Sequence, residues 1–439
     1  MNNKLKIGVV CLARKTFDYE AAAQIYEKIR ADLNLIEDVD FHCTQELLFE
    51  PEDAGRAAEA LQRFGADALV AISGTFHLGN LLLEITKKLN HPPLLLWGLN
   101  ELPYDSGKIR LNTVCGVNLD ASNLYKAGIR NYHAAFGPEI DRDWLAAMQA
   151  IVTLKNARIG LIGSRAHTFY NVAFDELDTW RELGLLVDQY SLQELLDYPA
   201  GADAEEYWLS MLGQNFKQDD INEQQALLTA RLAAKLDGFM AERNLTSLAL
   251  RCWPEFAASY GIAPCGSLSL VQCKSRIIAC EGDVEGAISM LIHRALGSET
   301  PFLADLSQVN FEKDEALLWH CGVAPCNLWD GRCEISLDSY HAGGKGVTAG
   351  FVLKEGALSL LRLDSAGRER RLFSREGLAL PMEKELKGTY ARVKFDGGVK
   401  ALLEQVIYNG IAHHVSVAYG SYSRPLEIMA RIKNWDLIS

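Results

Sequence analysis

No stretch of the 439 residues approaches the roughly 18 consecutive apolar residues that a bilayer-spanning helix requires. The apolar part of the opening run, Ile7-Gly8-Val9-Val10-Cys11, is too short for a signal h-region. It leads into Arg14-Lys15 with no small-residue cleavage site, so it reads as a first strand. A soluble, cytoplasmic chain without a membrane partner is the expectation. Low-complexity tracts are also missing. With 49% hydrophobic and 23% charged residues the composition is that of a globular protein, which argues against disorder and against a fibre. The basic residues form no stripe and the net charge is −13, so a nucleic-acid partner is not expected. Gly160-x-x-Gly163 lacks the third glycine of a dinucleotide fingerprint, which weighs against a nicotinamide cofactor and an NAD-linked oxidoreductase. There is no C-x₂-C pair. The ten cysteines read as reduced thiols, with Cys11, Cys273 and Cys280 acting as small hydrophobes in strand-like runs. His320, Cys321, Cys326 and Cys333 make a zinc set on paper only, because the spacing is wrong and Pro325 marks a turn.

What is present suggests about three domains, at roughly 150 residues per domain. The first 150 residues alternate strand and helix patterns: 7–11, a helix over 19–33, a strand at 68–74, a helix over 78–89 and a strand at 93–98. That rhythm predicts a parallel sheet covered by helices, with ligand loops at the carboxyl ends of the strands. Ser73 to His77 and Trp97 to Glu101 are such loops, or plain turns. A second series begins at Ala157 and continues through a helix over 223–243 and strands at 247–253 and 275–280. After residue 300 the runs alternate with period two at 346–353, 357–363 and 389–395, separated by Glu355-Gly356, Gly367 and Gly397-Gly398. This predicts a β-rich domain closed as a barrel or sandwich, ending in a helix that begins at Pro425. The expected architecture is two Rossmann-like α/β domains, 1–152 and 153–300, followed by a barrel-like domain over 301–439.

Two carboxylates stand out because they are embedded in apolar runs: Glu281 after Arg276-Ile277-Ile278-Ala279-Cys280, and Asp305 after Phe302-Leu303-Ala304. A carboxylate so placed needs an ion pair, hydrogen bonds or a cation to offset its desolvation. Near the C-terminus stands the doublet His413-His414. Hard oxygen ligands with one imidazole suit Mn²⁺, Mg²⁺ or Fe²⁺, and ordinary buried ion pairing is the competing reading.

Glu281-Gly282-Asp283-Val284-Glu285-Gly286 resembles the segment of L-fucose isomerases in which a Glu ligand precedes a helix. Phe302-Leu303-Ala304-Asp305 resembles the segment bearing their Asp ligand, and His413-His414-Val415 is similar to the His-His strand of L-arabinose isomerases. The likeness covers roughly 157–330 and 405–435, so the chain resembles the superfamily of metal-dependent aldose–ketose isomerases. The resemblance implies Mn²⁺, with Co²⁺, Mg²⁺ or Fe²⁺ as substitutes, held by Glu281, Asp305 and His414, with His413 in reserve and His320 as a further ligand or substrate contact. It also implies a homo-oligomer, trimer or hexamer, with active sites between subunits.

Such a site would isomerise an open-chain sugar through an enediol, with Glu281 and Asp305 sharing the acid/base role. Glu255 is a candidate contact to sugar hydroxyls or a surface acid. Trp97 offers an apolar face to a sugar or fills the core. Arg14 and Arg165 meet an anionic group or are solvated. Asp283 and Glu285 cap the helix that follows them, and His293 reads as a core histidine. The alternative function is a sugar-binding or regulatory protein on the same frame. The identity of the sugar is left open, and 6-substituted and sulfonated hexoses are among the candidates.

Overall fold

The computed structural model describes residues 4–339, 345–367 and 369–439. The chain divides into two compact units: Met1–Val152 with Pro425–Trp435, and Thr153–Arg424 with Asp436–Ser439.

The first unit holds a five-stranded parallel sheet of β1 (Leu5–Leu12), β2 (Val39–Cys43), β3 (Ala68–Ser73), β4 (Leu94–Gly98) and β5 (Tyr132–Phe136), in the order β2-β1-β3-β4-β5. The helices Tyr19–Leu33, Pro51–Phe64, Asn80–Lys88 and Thr113–Lys126 connect its strands. Because helices cover such a sheet, β1, β3 and β4 are buried along their whole length except Lys6, and they read as continuous apolar runs rather than as an alternation.

The second unit repeats this winding. Its strands β6 (Arg158–Ile162), β7 (Leu186–Tyr190), β8 (Ser247–Leu250) and β9 (Ile278–Cys280) form a parallel sheet in the order β7-β6-β8-β9. The strand expected over 247–253 stops at Leu250, and Arg251 to Glu255 leave the sheet at its carboxyl end.

A nine-stranded sheet follows: β10 (Phe302–Asn310), β11 (Glu315–His320), β12 (Ser336–Asp338), β13 (Thr348–Val352), β14 (Gly356–Ala366), β15 (Glu369–Leu380), β16 (Thr389–Phe395), β17 (His414–Tyr419) and β18 (Asp436–Ile438). Six of these strands, β16-β11-β10-β17-β14-β15, pair antiparallel in sequence around a ring, and β15 pairs back onto β16. The expected barrel is therefore closed, which removes its free edges. One core cluster runs from the helices behind β8 into the barrel, with Phe239, Leu248, Phe302, Leu318, Phe351, Leu360 and Phe373 among its members.

Three features depart from the sequence reading. The strand β15 was not singled out because charges interrupt its alternation, yet Arg370 is buried in a polar network. The glycines Gly397-Gly398 do not only turn the chain. Gly397 caps a helix, Gly398–Tyr408, that buries Val399 and Leu402. The expectation of ten reduced cysteines is corrected at one pair. Cys273 and Cys326 form a disulfide with their Cα atoms 5.5 Å apart, while the other eight are free. The turn at Pro325 brings Cys326 against the end of the helix Cys265–Gln272, next to Cys273. Cys326 is thus withdrawn from the paper zinc set. Among the described residues no helix is long and apolar enough to cross a membrane.

Leu360 lies on β14 between β17 and β15, fully buried. Truncation by Leu360→Ala is expected to cost about 2–5 kcal/mol, read as a lowered urea midpoint at unchanged m-value.

Candidate metal centre

The carboxyl ends of β6, β8 and β9 deliver three loops to one place, and β10, β11 and β17 of the barrel bring side chains to meet them. Glu281 directly follows β9 with φ of 63°, followed by Gly282 at 70°. A left-handed non-glycine residue is a strained conformation of the kind found at functional sites. Backbone bonds hold it there: Ala166 N–H donates to Glu281 O (2.7 Å) and Gly282 N–H to Leu250 O (3.0 Å). A Cβ on Gly282 would lie 2.2 Å from Ser164 O, so only glycine lets the loop after β6 approach this closely.

Asp305 and His414 are direct partners across β10 and β17. Register alone therefore brings their side chains together. His414 Nε2 lies 2.9 Å from Glu281 Oε2 and 3.5 Å from Asp305 Oδ1. Neither contact is aligned as a hydrogen bond to Nε2, and His414 Nε2, Asp305 Oδ1 and His320 Nε2 are buried atoms without a hydrogen-bond partner among the described residues. The other carboxylate oxygen of Glu281 is occupied, accepting the indole N–H of Trp253 at 2.8 Å.

The tautomer of His414 follows from its other nitrogen. Nδ1 is 2.9 Å from Asp283 Oδ2, and that same oxygen accepts from Arg362 Nη1. An Asp283 so engaged is ionised and can only accept, so Nδ1 carries a proton and the neutral ring presents its lone pair from Nε2. The two neighbouring histidines differ. His413 Nδ1 accepts from the Asn171 amide at 3.0 Å, and His320 Nδ1 accepts from Cys321 N–H at 2.8 Å. Their neutral rings carry the proton on Nε2. Of the three imidazoles, His414 is the one that turns a free lone pair toward the two carboxylates.

The electrostatics agree with this geometry. Burial would raise the Glu281 carboxyl, but the adjacent His414 imidazole, with His320 nearby, brings it down to about 2. Burial would lower His414, but Asp283 and Glu281 pull it up to about 10. Burial holds His320 below the ordinary histidine value. Positive charge therefore belongs at the point where Nε2, Oε2 and Oδ1 converge. Arg362 balances Asp283, which leaves the two formal negative charges of Glu281 and Asp305 facing that point. A proton on Nε2 meets part of this demand. A divalent cation meets all of it, and a donor set of two carboxylates and one imidazole suits a hard or borderline ion. The residues fit the metal.

The remaining candidates are distributed as follows. Asp283 caps the helix Val284–Ala295 through Gly286 N–H at 2.9 Å, as expected, and also orients His414, a role the sequence reading missed. Glu285 lies in the first turn of that helix but is buried against Arg362 and Arg370. His293 is fully buried with Nδ1 2.9 Å from Ser416 Oγ. Glu255 pairs with Arg251, which keeps its carboxylate engaged beside the Trp253 loop. Arg165 sits in the loop after β6 that packs on Gly282, its guanidinium 5.7 Å from the Tyr170 ring and without an ion pair among the described residues. Phe169, two residues before Asn171, stands edge-on to both Trp253 and His413. Trp97 and Arg14 belong to the first unit. Trp97 is 1% exposed and donates its N–H to Gly137 O, so it fills the core instead of presenting a face to a sugar. Arg14 is exposed, with its backbone N–H on Thr75 Oγ1. Trp253, Asn171 and Phe169 were not singled out in the sequence. Trp253 had a signal in its position at the end of a strand, beside Glu255.

No protein-family model matches the chain. Relatives that match it along nearly its whole length are sugar isomerases, enzymes that interconvert an aldose and a ketose. This supports a sugar-isomerase function for the chain, that of an intramolecular oxidoreductase. The relatives are sulfoquinovose isomerases. That of Priestia aryabhattai is 26% identical over 443 residues, covering 97% of each chain. That of Alkalicoccus urumqiensis is 27% identical over 444 residues, again 97% of each. A third, from Clostridium sp. (strain MSTE9), is 25% identical over 97% of this chain and 96% of the relative. Among solved structures, an arabinose-binding protein from Geobacillus stearothermophilus matches 67% of this chain and 88% of its own at 10% identity and a TM-score of 0.17, a likeness too slight to carry an argument.

Gly282→Ala is expected to lower stability by more than about 1 kcal/mol, since it combines a left-handed backbone with a backbone clash. The denaturation midpoint of the purified variant measures it.

Proposed function

We propose that the chain is a divalent-metal-dependent aldose–ketose isomerase of the L-fucose and L-arabinose isomerase superfamily, acting on sulfoquinovose, a hexose with a sulfonate on C6. The observation that carries the metal reading is the convergence of His414 Nε2, Glu281 Oε2 and Asp305 Oδ1 in a buried site without aligned hydrogen bonds among them. The substrate reading is supported by full-length similarity to sulfoquinovose isomerases. Glu281, Asp305 and His414 would hold the ion, Mn²⁺ in the first instance and Mg²⁺, Fe²⁺ or Co²⁺ as substitutes. When bound, it would supply the electrophile that polarises the carbonyl and hydroxyl oxygens of C1 and C2.

The residues do the rest. Glu281 and Asp305 jointly move the proton between C2 and C1, and the Trp253 N–H fixes one oxygen of Glu281 so that the other stays turned to the reacting end. The His320 Nε2–H, without an acceptor among the described residues, donates to a substrate oxygen. Phe169 and Trp253 close one side of the site and exclude water. Arg165 meets the sulfonate, with its planar fork matched to an oxyanion. The same reading carries a cytoplasmic homo-oligomer, trimer or hexamer, with active sites between subunits.

The test is solvent deuterium exchange at C2, followed by NMR, with chelator-stripped protein and with Mn²⁺ restored. The panel comprises sulfoquinovose, fucose, arabinose and altrose. Exchange should require the metal and be fastest with sulfoquinovose. Glu281→Gln and Asp305→Asn should each slow it by at least about 10²-fold. Equal exchange without metal sinks the metal reading, and exchange with an unsubstituted aldose but not with sulfoquinovose sinks the substrate reading. Arg165→Met should raise KM for sulfoquinovose while leaving kcat nearly unchanged, as loss of uniform binding does; a fall in kcat at constant KM would remove Arg165 from the sulfonate.

A further inference from the structure

We propose that Arg362 is a positioning residue for the metal centre: through Asp283 it holds the His414 ring so that Nε2 faces Glu281 and Asp305. This rests on reading that cluster as a metal centre. Arg362 projects from β14 and is fully buried, as are Asp283 and His414. Its nearest partners are three carboxylates. Nη1 bonds Asp283 Oδ2, while Nη2 lies 3.7 Å from Glu285 Oε2 and Nε lies 3.8 Å from Asp364 Oδ1. Among the described residues neither Nε nor Nη2 has a hydrogen-bond partner. The one well-formed bond of this guanidinium is therefore the one to the oxygen that also receives His414 Nδ1–H.

The fold alone does not call for an arginine here. A buried cation costs desolvation, and an apolar side chain of similar volume commonly serves packing as well or better. Glu285 and Asp364 are held in turn by Arg370 and Arg371, so the neighbouring acids have cations of their own. Arg370 also bonds Thr179 Oγ1 at 2.8 Å, tying the network to the helix Glu176–Leu183. What Arg362 adds is a fixed place for Asp283 Oδ2. The other oxygen of Asp283 is pinned by Gly286 N–H at the helix start. With both oxygens fixed, the carboxylate plane is set, and with it the direction in which the His414 ring can lie.

The experiment titrates Mn²⁺ into metal-free full-length protein by calorimetry, for wild type, Arg362→Met, Asp283→Asn and the double variant, with metal-free thermal unfolding measured alongside. Each single change should weaken Mn²⁺ binding about 10- to 100-fold, the usual range for partners of a metal-bound histidine. The double variant should bind no more weakly than the weaker single one, because both act along one path. A merely structural role would lower the unfolding temperature and leave the Mn²⁺ affinity of the folded fraction unchanged, which overturns the proposal. Losses that multiply in the double variant overturn it as well. Should Arg362→Met not fold, Arg362→Gln keeps side-chain donors without the charge and enters the same cycle under the same criteria. If wild type itself takes up no Mn²⁺, the metal reading falls and the inference with it. If wild type binds and Arg362→Met binds equally well, the inference falls alone.

Discussion

Glu281 and Asp305 each bring a carboxylate oxygen to the buried Nε2 of His414, at 2.9 and 3.5 Å, and two acids around one buried imidazole nitrogen call for positive charge beside it. Much of the architecture of the second unit supplies the pieces of that arrangement and keeps them apart from water. The parallel sheet contributes Glu281 on a strained turn. The barrel contributes Asp305 and His414 through plain antiparallel register. Asp283, at the start of the helix Val284–Ala295, links the two by capping the helix with one oxygen and orienting His414 with the other. A helix N-terminus favours negative charge, so the residue that orients His414 sits where the backbone also stabilises it.

The site follows the general rule for open parallel sheets, in which ligands gather beyond the carboxyl ends of the strands where the winding reverses. Here β6 lies between β7 and β8, and the loops after β6 and β8 lead to Phe169 and Trp253, which touch edge to face. What is added to the rule is a barrel that supplies Asp305, His320 and His414. The parallel sheet thereby gains side chains whose placement is fixed by strand pairing rather than by loops, and ligands on strands are held more tightly than ligands on loops.

Much of this was legible in the sequence. Glu281 and Asp305 were visible because charge interrupted apolar runs, and the two sheet windings were visible because buried parallel strands read as continuous Val, Ile and Leu. The helix Tyr19–Leu33 and the strand Thr389–Phe395 have the expected bounds. The features that escaped share a cause: their residues mean one thing locally and another in three dimensions. Asp283 is a sufficient helix cap on local grounds, and nothing within a few residues shows that its second oxygen serves a histidine 131 positions away. Arg362 and Arg370 make β14 and β15 look half solvated when they are in fact buried with Asp283 and Glu285, at the start of the helix Val284–Ala295. Cys273 and Cys326, 53 positions apart, look like ordinary thiols until the fold brings them together. Trp97 shows the opposite case, an aromatic residue at a loop boundary that the sheet simply buries.

The ring of the barrel closes through a strand made late in the chain. The strand β17 inserts between β10 and β14, and it carries the imidazole. Until it is seated, Glu281 and Asp305 have no third partner, and contacts spanning more than a hundred residues are among the slowest to form. On the metal reading proposed above, competence to capture the ion would be tied to topological completion. On that reading a half-assembled chain would present the two acids without the imidazole, and uptake of the ion would wait for the end of folding.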